Sequence, residues 1–392
     1  MKIIHTSDWH LGHIFYGYDR EKEQTAVMET LRRIIENEQP DALIISGDIY
    51  HSSQPPAWAQ RLFASTIAAM KKSAPDMAVI ATAGNHDSPS RHEIFRDVWL
   101  ELGVHTIGTT GIAGSSDFFD KLIIDLPQLF VAAVPFVHRR ILQDGIFKML
   151  ADEISRRNTN NRPVIAMAHT AVQSCNFKGQ ENDGEIIVGG EELLPLEIFG
   201  NGWDYIALGH IHHPQSIYGS ANKIGYSGSI LPVSFDEDFD HSVAIVEIDA
   251  HGCKPHIRRV TIPSPIKVLS LPQQGFASWD IALQELRKLE SDKPCYVRLN
   301  VINDNTVPAD ADSIAAEIAK EKKLLFCSIN HPPVEHTKLS AKNGHMSIEE
   351  FKTMSPLEVA KLHAEINGID FGEIEDMFNE VLDSFKNTDD GQ

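Results

Sequence analysis

Five short apolar runs in this chain each end on aspartate, histidine or asparagine. They are KIIHT before Ser7-Asp8-Trp9-His10, ALIIS before Gly47-Asp48, the strand ending at Ala83 before Gly84-Asn85-His86-Asp87, VIAMA before His169, and YIAL before Gly209-His210-Ile211-His212. A fold that uses these runs as neighbouring strands delivers all their polar ends to one edge, which is where open α/β sheets place their ligands. Asp8 and His10, like His210 and His212, are two residues apart, so an extended chain would point each pair to one side.

Between the runs lie helical patterns. Glu21 to Glu38 carries Val27, Met28, Leu31, Ile34 and Ile35 at three- and four-residue spacing. A strand Ala42 to Ser46, a helix Pro56 to Lys72 and a strand Met77 to Ala83 follow. Further strands are expected at Lys121–Asp125, Leu129–Val134, Val164–Ala168 and Tyr205–Leu208, with one helix over Arg139–Arg157. Buried sheets alternating with helices predict an α/β fold, a sandwich with helices on its faces. From Pro263 the texture changes to a smaller α+β pattern: strand Val268–Leu271, helix Trp279–Leu289, strand Tyr296–Ile302, helix Ala309–Lys320 and strand Leu324–Ile329. The tail carries capping-box pairs, Ser347 with Glu350, Ser355 with Glu358 and Asp370 with Glu373, which predict three short helices. In the last helix Ile374, Met377, Phe378, Val381, Leu382 and Phe385 form one apolar stripe, either a face packed on its own protein or a docking surface for a partner helix. The expected domains are 1–262, 263–335 and 340–392.

The 392 residues carry a formal charge of −20, which argues against a uniformly basic nucleic-acid surface. The last 52 residues hold 4 Lys plus Arg against 12 Asp plus Glu, so −8 of that charge lies in the tail. Leu126 to Val137 is mostly apolar but broken by Pro127, Gln128 and Pro135, and it is shorter than the roughly 20 residues of a membrane helix. Four scattered cysteines without CxxC fit neither a disulfide framework nor a thiolate zinc site. These features, with no secretory signal pattern at the start, predict a cytoplasmic protein without a membrane segment.

Asp, His and Asn without thiolate suit two divalent ions in a mixed nitrogen and oxygen shell. If Asp48 bridges, the seven residues Asp8, His10, Asp48, Asn85, His169, His210 and His212 give four bonds to each ion and leave positions open for water and substrate. Two aspartates against two dications leave net positive charge, which favours an anion such as a phosphodiester. Two-metal sites with ions ~3.5–4 Å apart support in-line displacement at phosphorus. His86, next to Asn85, is then the candidate proton donor to the leaving oxygen. The glycines at 47, 84 and 209 would permit close backbone approach.

The order DxH, GD, GNHD, H, GHxH resembles the calcineurin-like metallophosphoesterases. The longer strings HTSDWHLGH, SGDIYHSSQPP, AGNHDS, YIALGHIHHPQ and YSGSILPVSFDE resemble the nucleases of that family that serve double-strand-break repair, strongly over residues 1 to about 240 and by layout beyond. The resemblance implies a metallophosphoesterase β-sandwich with a small capping domain that positions DNA, and a helical tail. It also implies one ion on Asp8, His10, Asp48 and His212 and another on Asp48, Asn85, His169 and His210, with manganese as the metal and His51 in the catalytic pocket. A homodimer, exonuclease and endonuclease action on DNA ends and hairpins, and docking of the tail on the coiled coil of an SbcC-type ATPase in a heterotetramer are implied in the same way. No GxxxxGK[ST] occurs, so that ATPase would be a separate chain.

Two other readings compete. A small-molecule phosphodiesterase or phosphatase could use the same centre, although GDIYHSS and GNHD stand where protein phosphatases carry GDxxDRG and GNHE. A non-catalytic assembly subunit would be expected to lack some of the metal ligands. For phosphate contacts to DNA the candidates are Arg20, Arg91, His92, Arg139 and Arg140. His5 is expected to face the core, and His213 and His241 to be peripheral.

Overall fold

The alternation within the first strands decides how the layers form. In Lys2–Thr6 and Ala42–Ser46, Ile3, Ala42 and Ile44 face one side, while Ile4, Leu43 and Ile45 face the other. Both sides are apolar, so this sheet must be covered twice. The computed structural model describes residues 1–112, 115, 117–180, 193–217, 220, 223–304, 307–332, 355, 357–358, 360–361 and 371–373.

One six-stranded sheet runs in the order His256–Thr261, Ser242–Glu247, Lys2–Thr6, Ala42–Ser46, Ala78–Thr82, Val104–Ile107. The second runs Gln215–Ser216, Ile224–Tyr226, Tyr205–Gly209, Val164–His169, Phe130–Ala133, Ile123–Asp125. Their facing sides share one core, in which Ile3, Ile44, Ile80 and Val246 pack with Val131, Ile165, Ala166 and Tyr205. On the outer side of the first sheet the helices Glu21–Glu38 and Ala57–Ser73 bring Val27, Leu31, Ile35, Phe63 and Ile67 onto Ile4, Leu43, Ile45 and Val79. Ile146–Arg157 adds Phe147, Leu150 and Ile154 to the first core. Each such large side chain, fully buried, stabilises the fold by about 1.5–3 kcal/mol relative to exposure. The four strands that precede the aspartate and histidine motifs in the middle of the two sheets pair in parallel, Lys2–Thr6 with Ala42–Ser46 and Val164–His169 with Tyr205–Gly209, so their C-terminal ends emerge together.

The helix over Glu21–Glu38 has the expected bounds. The single helix expected over Arg139–Arg157 is two helices, Arg139–Gln143 and Ile146–Arg157. The break falls at Gly145, whose φ of 86° is left-handed and cannot continue a helix. The strands at Val104–Ile107, Ile224–Tyr226, Ser242–Glu247 and His256–Thr261 are additional to those expected, and two of them form one edge of the first sheet.

Lys267–Leu271, Cys295–Asn300 and Leu325–Asn330 form a three-stranded parallel sheet, joined through the helices Trp279–Lys288 and Ala311–Glu321. Cys295, Val297 and Leu299 face those helices. Tyr296, from the opposite face, packs with Phe15 and Phe235 of the larger body. All of this lies within one unit, Met1–His331. In the second unit, Pro332–Gln392, the Ser355 amide donates to Glu358 Oε2 at 2.7 Å and the Glu358 amide to Ser355 Oγ at 3.3 Å, the reciprocal capping box expected there. The pairs Ser347/Glu350 and Asp370/Glu373 and the stripe from Ile374 to Phe385 lie outside the described residues, Glu373 excepted. Among the described residues no helix is long and apolar enough to cross a membrane, and the four cysteines are free thiols.

Candidate metal centre

Past the ends of Lys2–Thr6 and Ala42–Ser46, the backbone keeps the two chains laced together. The Asp8 amide donates to Gly47 O at 3.1 Å, His10 to Asp48 O at 3.0 Å and Leu11 to Ile49 O at 2.9 Å. The Asp87 carboxylate ties in the third loop by accepting the amides of Ile49, Tyr50 and Gly84. This explains the aspartate of GNHD as a fastening and not a ligand.

Asp8 and His10 do converge, but not by strand parity. The strand ends at Thr6, and Asp8, His10, Asp48 and His210 all have positive φ, 53°, 44°, 50° and 93°. Non-glycine residues in this region cost free energy and cluster at functional sites. The neighbouring glycines give these strained turns room. A Cβ at Gly84 would lie 2.0 Å from Asp48 Oδ1, one at Gly47 2.2 Å from His169 Nδ1, and one at Gly209 1.9 Å from Ser46 O.

The seven expected residues are brought together. Asn85 Oδ1 lies 2.9 Å from His169 Nε2 and 3.1 Å from His210 Nδ1. His169 Nε2 is 3.2 Å from Asp48 Oδ2, and His10 Nε2 is 3.9 Å from the same oxygen. His10 Nε2 and His212 Nε2 are 3.1 Å apart, and the His210 amide donates to Asp8 Oδ1 at 3.0 Å. Ligand atoms of Asp8, His10 and His212 lie within 4.8 Å of one another, as do those of Asp8, Asp48 and His169.

The outer hydrogen bonds decide which nitrogen of each ring faces inward. His169 Nδ1 donates to the Ser46 carbonyl at 2.8 Å, and His212 Nδ1 donates to Glu237 Oε1 at 2.8 Å. Their Nε2 atoms are left pointing at the oxygens of Asp48 and Asn85 and at His10. Imidazole nitrogens and carboxylate and amide oxygens converging in a buried cluster are an arrangement a cation can bridge in place of protons, and a backbone carbonyl or carboxylate behind the imidazole is the usual support of a metal-bound histidine. Asp8 and Asp48 are buried near each other; His169 and His212 face Asp8, and His169, His10 and His86 face Asp48. Burial alone would pull His169 down, but Asp48 outweighs it and pushes His169 up to about 9. Burial also opposes the charge on Asp48, yet His169 holds that carboxyl well below its ordinary range. Burial, aided by His169, pulls His210 down to about 3. A divalent metal centre fits this donor set.

His86 and His51 stand at the rim, their rings stacked at 5.5 Å. His86 Nδ1 donates to the His51 carbonyl at 3.0 Å, and its Nε2 lies 3.9 Å from Asp48 Oδ2. His51 Nδ1 is 3.4 Å from His10 Nδ1.

The basic candidates separate. Arg20 is 1% exposed. It pairs with Glu23 at 3.1 Å, donates to Pro232 O at 2.5 Å and lies over the Phe15 ring, so it cannot be a phosphate contact. The half-buried His92 ring is anchored on Ala81 O at 3.0 Å, whereas Arg91 and Arg140 are exposed and Arg139 is half-buried. His5 faces the core as expected and contacts the Tyr205 hydroxyl at 2.9 Å. His241, expected to be peripheral, is buried beside Ser229 and Glu237, while His213 is half-buried against Phe239.

Three supporting residues carried no assigned role in the sequence. Gln24 receives the Gly12 amide and donates to His10 O; Gln180 receives the His212 amide and donates to His210 O; Glu237 holds His212. Gln24 had one signal, a polar residue in register with the apolar face of its helix. Gln180 and Glu237 come from irregular segments, where no periodicity marks a residue as buried.

A family model described as calcineurin-like phosphoesterase matches residues 1–214. The SbcD subunit of the nuclease SbcCD from Rhodobacter capsulatus is 33% identical over 320 residues, covering 75% of this chain and 77% of its own. The Escherichia coli K12 protein of the same name is 27% identical over 326 residues, 78% of each chain. A crystal structure of a dimetal phosphatase from Danio rerio aligns over 67% of this chain and 99% of that one, at 12% identity and a TM-score of 0.38. The chain belongs to the calcineurin-like phosphoesterase family, in the branch of the SbcD subunits. It is a metal-dependent phosphoesterase.

Proposed function

We propose that the chain is a two-metal DNA nuclease, acting as exonuclease and endonuclease on double-strand ends and hairpins in repair and recombination. The observation that carries this is the convergence of Asp8, His10, Asp48, Asn85, His169, His210 and His212 on one pocket with inward-facing donor atoms. The relatives named as nuclease subunits extend it to a nucleic acid, and the motif resemblance to nucleases of double-strand-break repair makes that nucleic acid DNA. In this reading Asp8, His10, Asp48 and His212 hold one ion and Asp48, Asn85, His169 and His210 the other, with manganese as the metal. The bound ions supply Lewis acidity and an activated water.

The chain's own residues do the remaining work. His86 keeps Nδ1 on the His51 carbonyl and turns its other nitrogen toward the pocket, as a proton donor to the leaving oxygen requires. His51, half-buried between the rings of His86 and His10, borders the same space and serves the scissile phosphate. The small parallel sheet positions the DNA, and the exposed Arg91 and Arg140 contact phosphates.

The partner of the reading is an SbcC-type subunit, as the name SbcCD of the relatives' complex suggests; an ATPase with a coiled coil, docking by the tail, a heterotetramer and a cytoplasmic location extend the reading from the sequence resemblance alone. A homodimer belongs to the same reading. Ile94, Phe95, Val98, Leu100 and Leu102, each about half exposed or more, supply apolar surface that a second copy would cover.

The test is to purify the chain, strip and restore Mn²⁺, and assay linear duplex, hairpin and single-stranded DNA beside a small phosphodiester, with and without the ATPase. Metal-dependent DNA cleavage is expected. Turnover of the small ester with DNA untouched in every condition would leave a small-molecule phosphodiesterase.

A further inference from the structure

Glu237 is a buried carboxylate, and among the described residues no lysine or arginine pairs with it. Oε1 accepts His212 Nδ1–H at 2.8 Å, Oε2 accepts the Ser229 hydroxyl at 2.9 Å, and His241 Nε2 lies 4.0 Å away. A buried carboxylate is costly unless it is hydrogen-bonded or its charge is compensated, and here the two hydrogen bonds come from the His212 imidazole and the Ser229 hydroxyl. It also fits tightly: a Cβ on Gly179 would come within 2.8 Å of the Glu237 Cγ.

The segment carrying Glu237 is clamped from the small sheet. Arg298 Nη1 donates to Asp236 at 2.9 Å, and its guanidinium lies 4.9 Å from the Phe235 ring centroid. Phe235 packs on Phe15 and Tyr16 at 5.3 and 5.2 Å. Arg20, which donates to Pro232 O, is held by Glu23, and Glu23 in turn accepts the Tyr296 hydroxyl at 2.6 Å. Tyr296 and Arg298 are two apart on one strand, so both reach the same side, away from the helices that cover Cys295, Val297 and Leu299.

We infer that Glu237 is a positioning residue for His212, and that the small sheet, through Arg298 and Asp236, sets how firmly His212 holds its metal ion. This rests on the two-metal reading above. Glu237 keeps Nδ1 of His212 as the donor and the ring aimed inward, and its negative charge makes Nε2 a better ligand. Asp236 immediately precedes Glu237, so the Arg298–Asp236 contact anchors to the small sheet the backbone that presents Glu237.

The test uses the full chain and Mn²⁺ alone, titrated by calorimetry and by electron paramagnetic resonance, with no substrate. The wild type is expected to take up two ions. Glu237→Gln keeps the shape and removes the charge; it should weaken one ion by about 10–100-fold and leave the other unchanged. Excess Mn²⁺ should then restore DNA cleavage, which a merely structural defect would not allow. Arg298→Ala leaves Glu237 in place and should weaken the same ion by a smaller factor, so it still tests the inference if Glu237→Gln fails to fold. Wild-type affinity for both ions in Glu237→Gln would overturn the positioning role, and wild-type affinity in Arg298→Ala would overturn the link to the small sheet. A wild type that binds no Mn²⁺ would overturn the two-metal reading itself and this inference with it. Two ions bound with no DNA cleavage would count against the nuclease reading alone.

Discussion

His169 Nδ1 donates to the carbonyl oxygen of Ser46 at 2.8 Å, across the two sheets of the sandwich. Ser46 ends the strand that precedes Asp48, and His169 ends a strand of the opposite sheet, so this hydrogen bond orients the imidazole and, with Ser46 Oγ donating to Ala207 O at 3.1 Å, ties the two sheet edges together. The nitrogen opposite lies 3.2 Å from Asp48. The centre therefore depends on backbone as much as on ligands, and the following outcomes are expected.

Gly84→Ala places a methyl group 2.0 Å from Asp48 Oδ1 and 2.3 Å from the Asp48 amide nitrogen. Neither the backbone nor the short carboxylate can withdraw far. Overpacking of this kind costs about 1–3 kcal/mol, and Asp48 must turn away from the pocket. Urea denaturation should show the loss of stability, and Mn²⁺ titration should show weaker binding. A variant with wild-type metal affinity would show that the close approach at residue 84 is dispensable.

His86→Ala should separate chemistry from metal binding. The ring sits at the rim, with Nδ1 on the His51 carbonyl. Loss of a general acid costs about 10²–10⁴-fold in rate, so turnover should fall by that factor while metal content, measured by elemental analysis, stays at the wild-type level. Normal turnover, or loss of the metal, would show the role to be misassigned.

Arg20 and Arg91 should respond in opposite ways. Arg20 is buried in a pair with Glu23, and breaking a buried pair by removing one partner costs about 3–5 kcal/mol. Arg20→Ala should unfold at lower urea. Arg91 is exposed, and Arg91→Ala should leave the urea midpoint unchanged while reducing the salt dependence of DNA binding by about 0.9 log units per log unit of salt. Equal urea midpoints for Arg20→Ala and the wild type would contradict the burial.

His5 supplies a pH dependence. Burial, reinforced by Arg259, pulls its ring down to about 3, below its ordinary value of 6.5. Between these values the unfolded chain binds a proton there that the folded chain refuses, so stability is lost as pH falls from 6.5 toward 3 and is retained above 6.5. One proton contributes a slope of about 1.4 kcal/mol per pH unit. With metal chelated, the stability of the wild type should fall more steeply between about pH 6 and 4 than that of His5→Gln, by roughly that slope. Parallel curves would show that His5 accepts its proton in the folded state.

Much of the centre was legible because strand ends and their polar residues are local features. Short apolar runs that stop at Asp, His or Asn identify themselves without any knowledge of their neighbours, and the spacing of Val27, Leu31 and Ile35 is enough to define a helix from Glu21 to Glu38. The same local chemistry marks Gly47, Gly84 and Gly209 as places where the backbone comes close, and the structure finds side-chain or carbonyl atoms about 2 Å from the Cβ position at each.

Only the tertiary structure decided which atoms meet. Asp8 and His210 are 202 residues apart, and their contact depends on the stacking order of two sheets, which no local period encodes. Asp8 and His10 converge through left-handed backbone and not through strand alternation, because the strand has already ended at Thr6. Arg20 looks like any surface arginine until the hairpin at residues 14–19 and the strand Cys295–Asn300 close over it, and Glu237 looks like one more acid in FDEDFD until the fold sets it behind His212. In each case the deciding quantity is burial against residues distant in the chain: residue type determines what a side chain can do, and the packing around it determines whether water or a partner answers it.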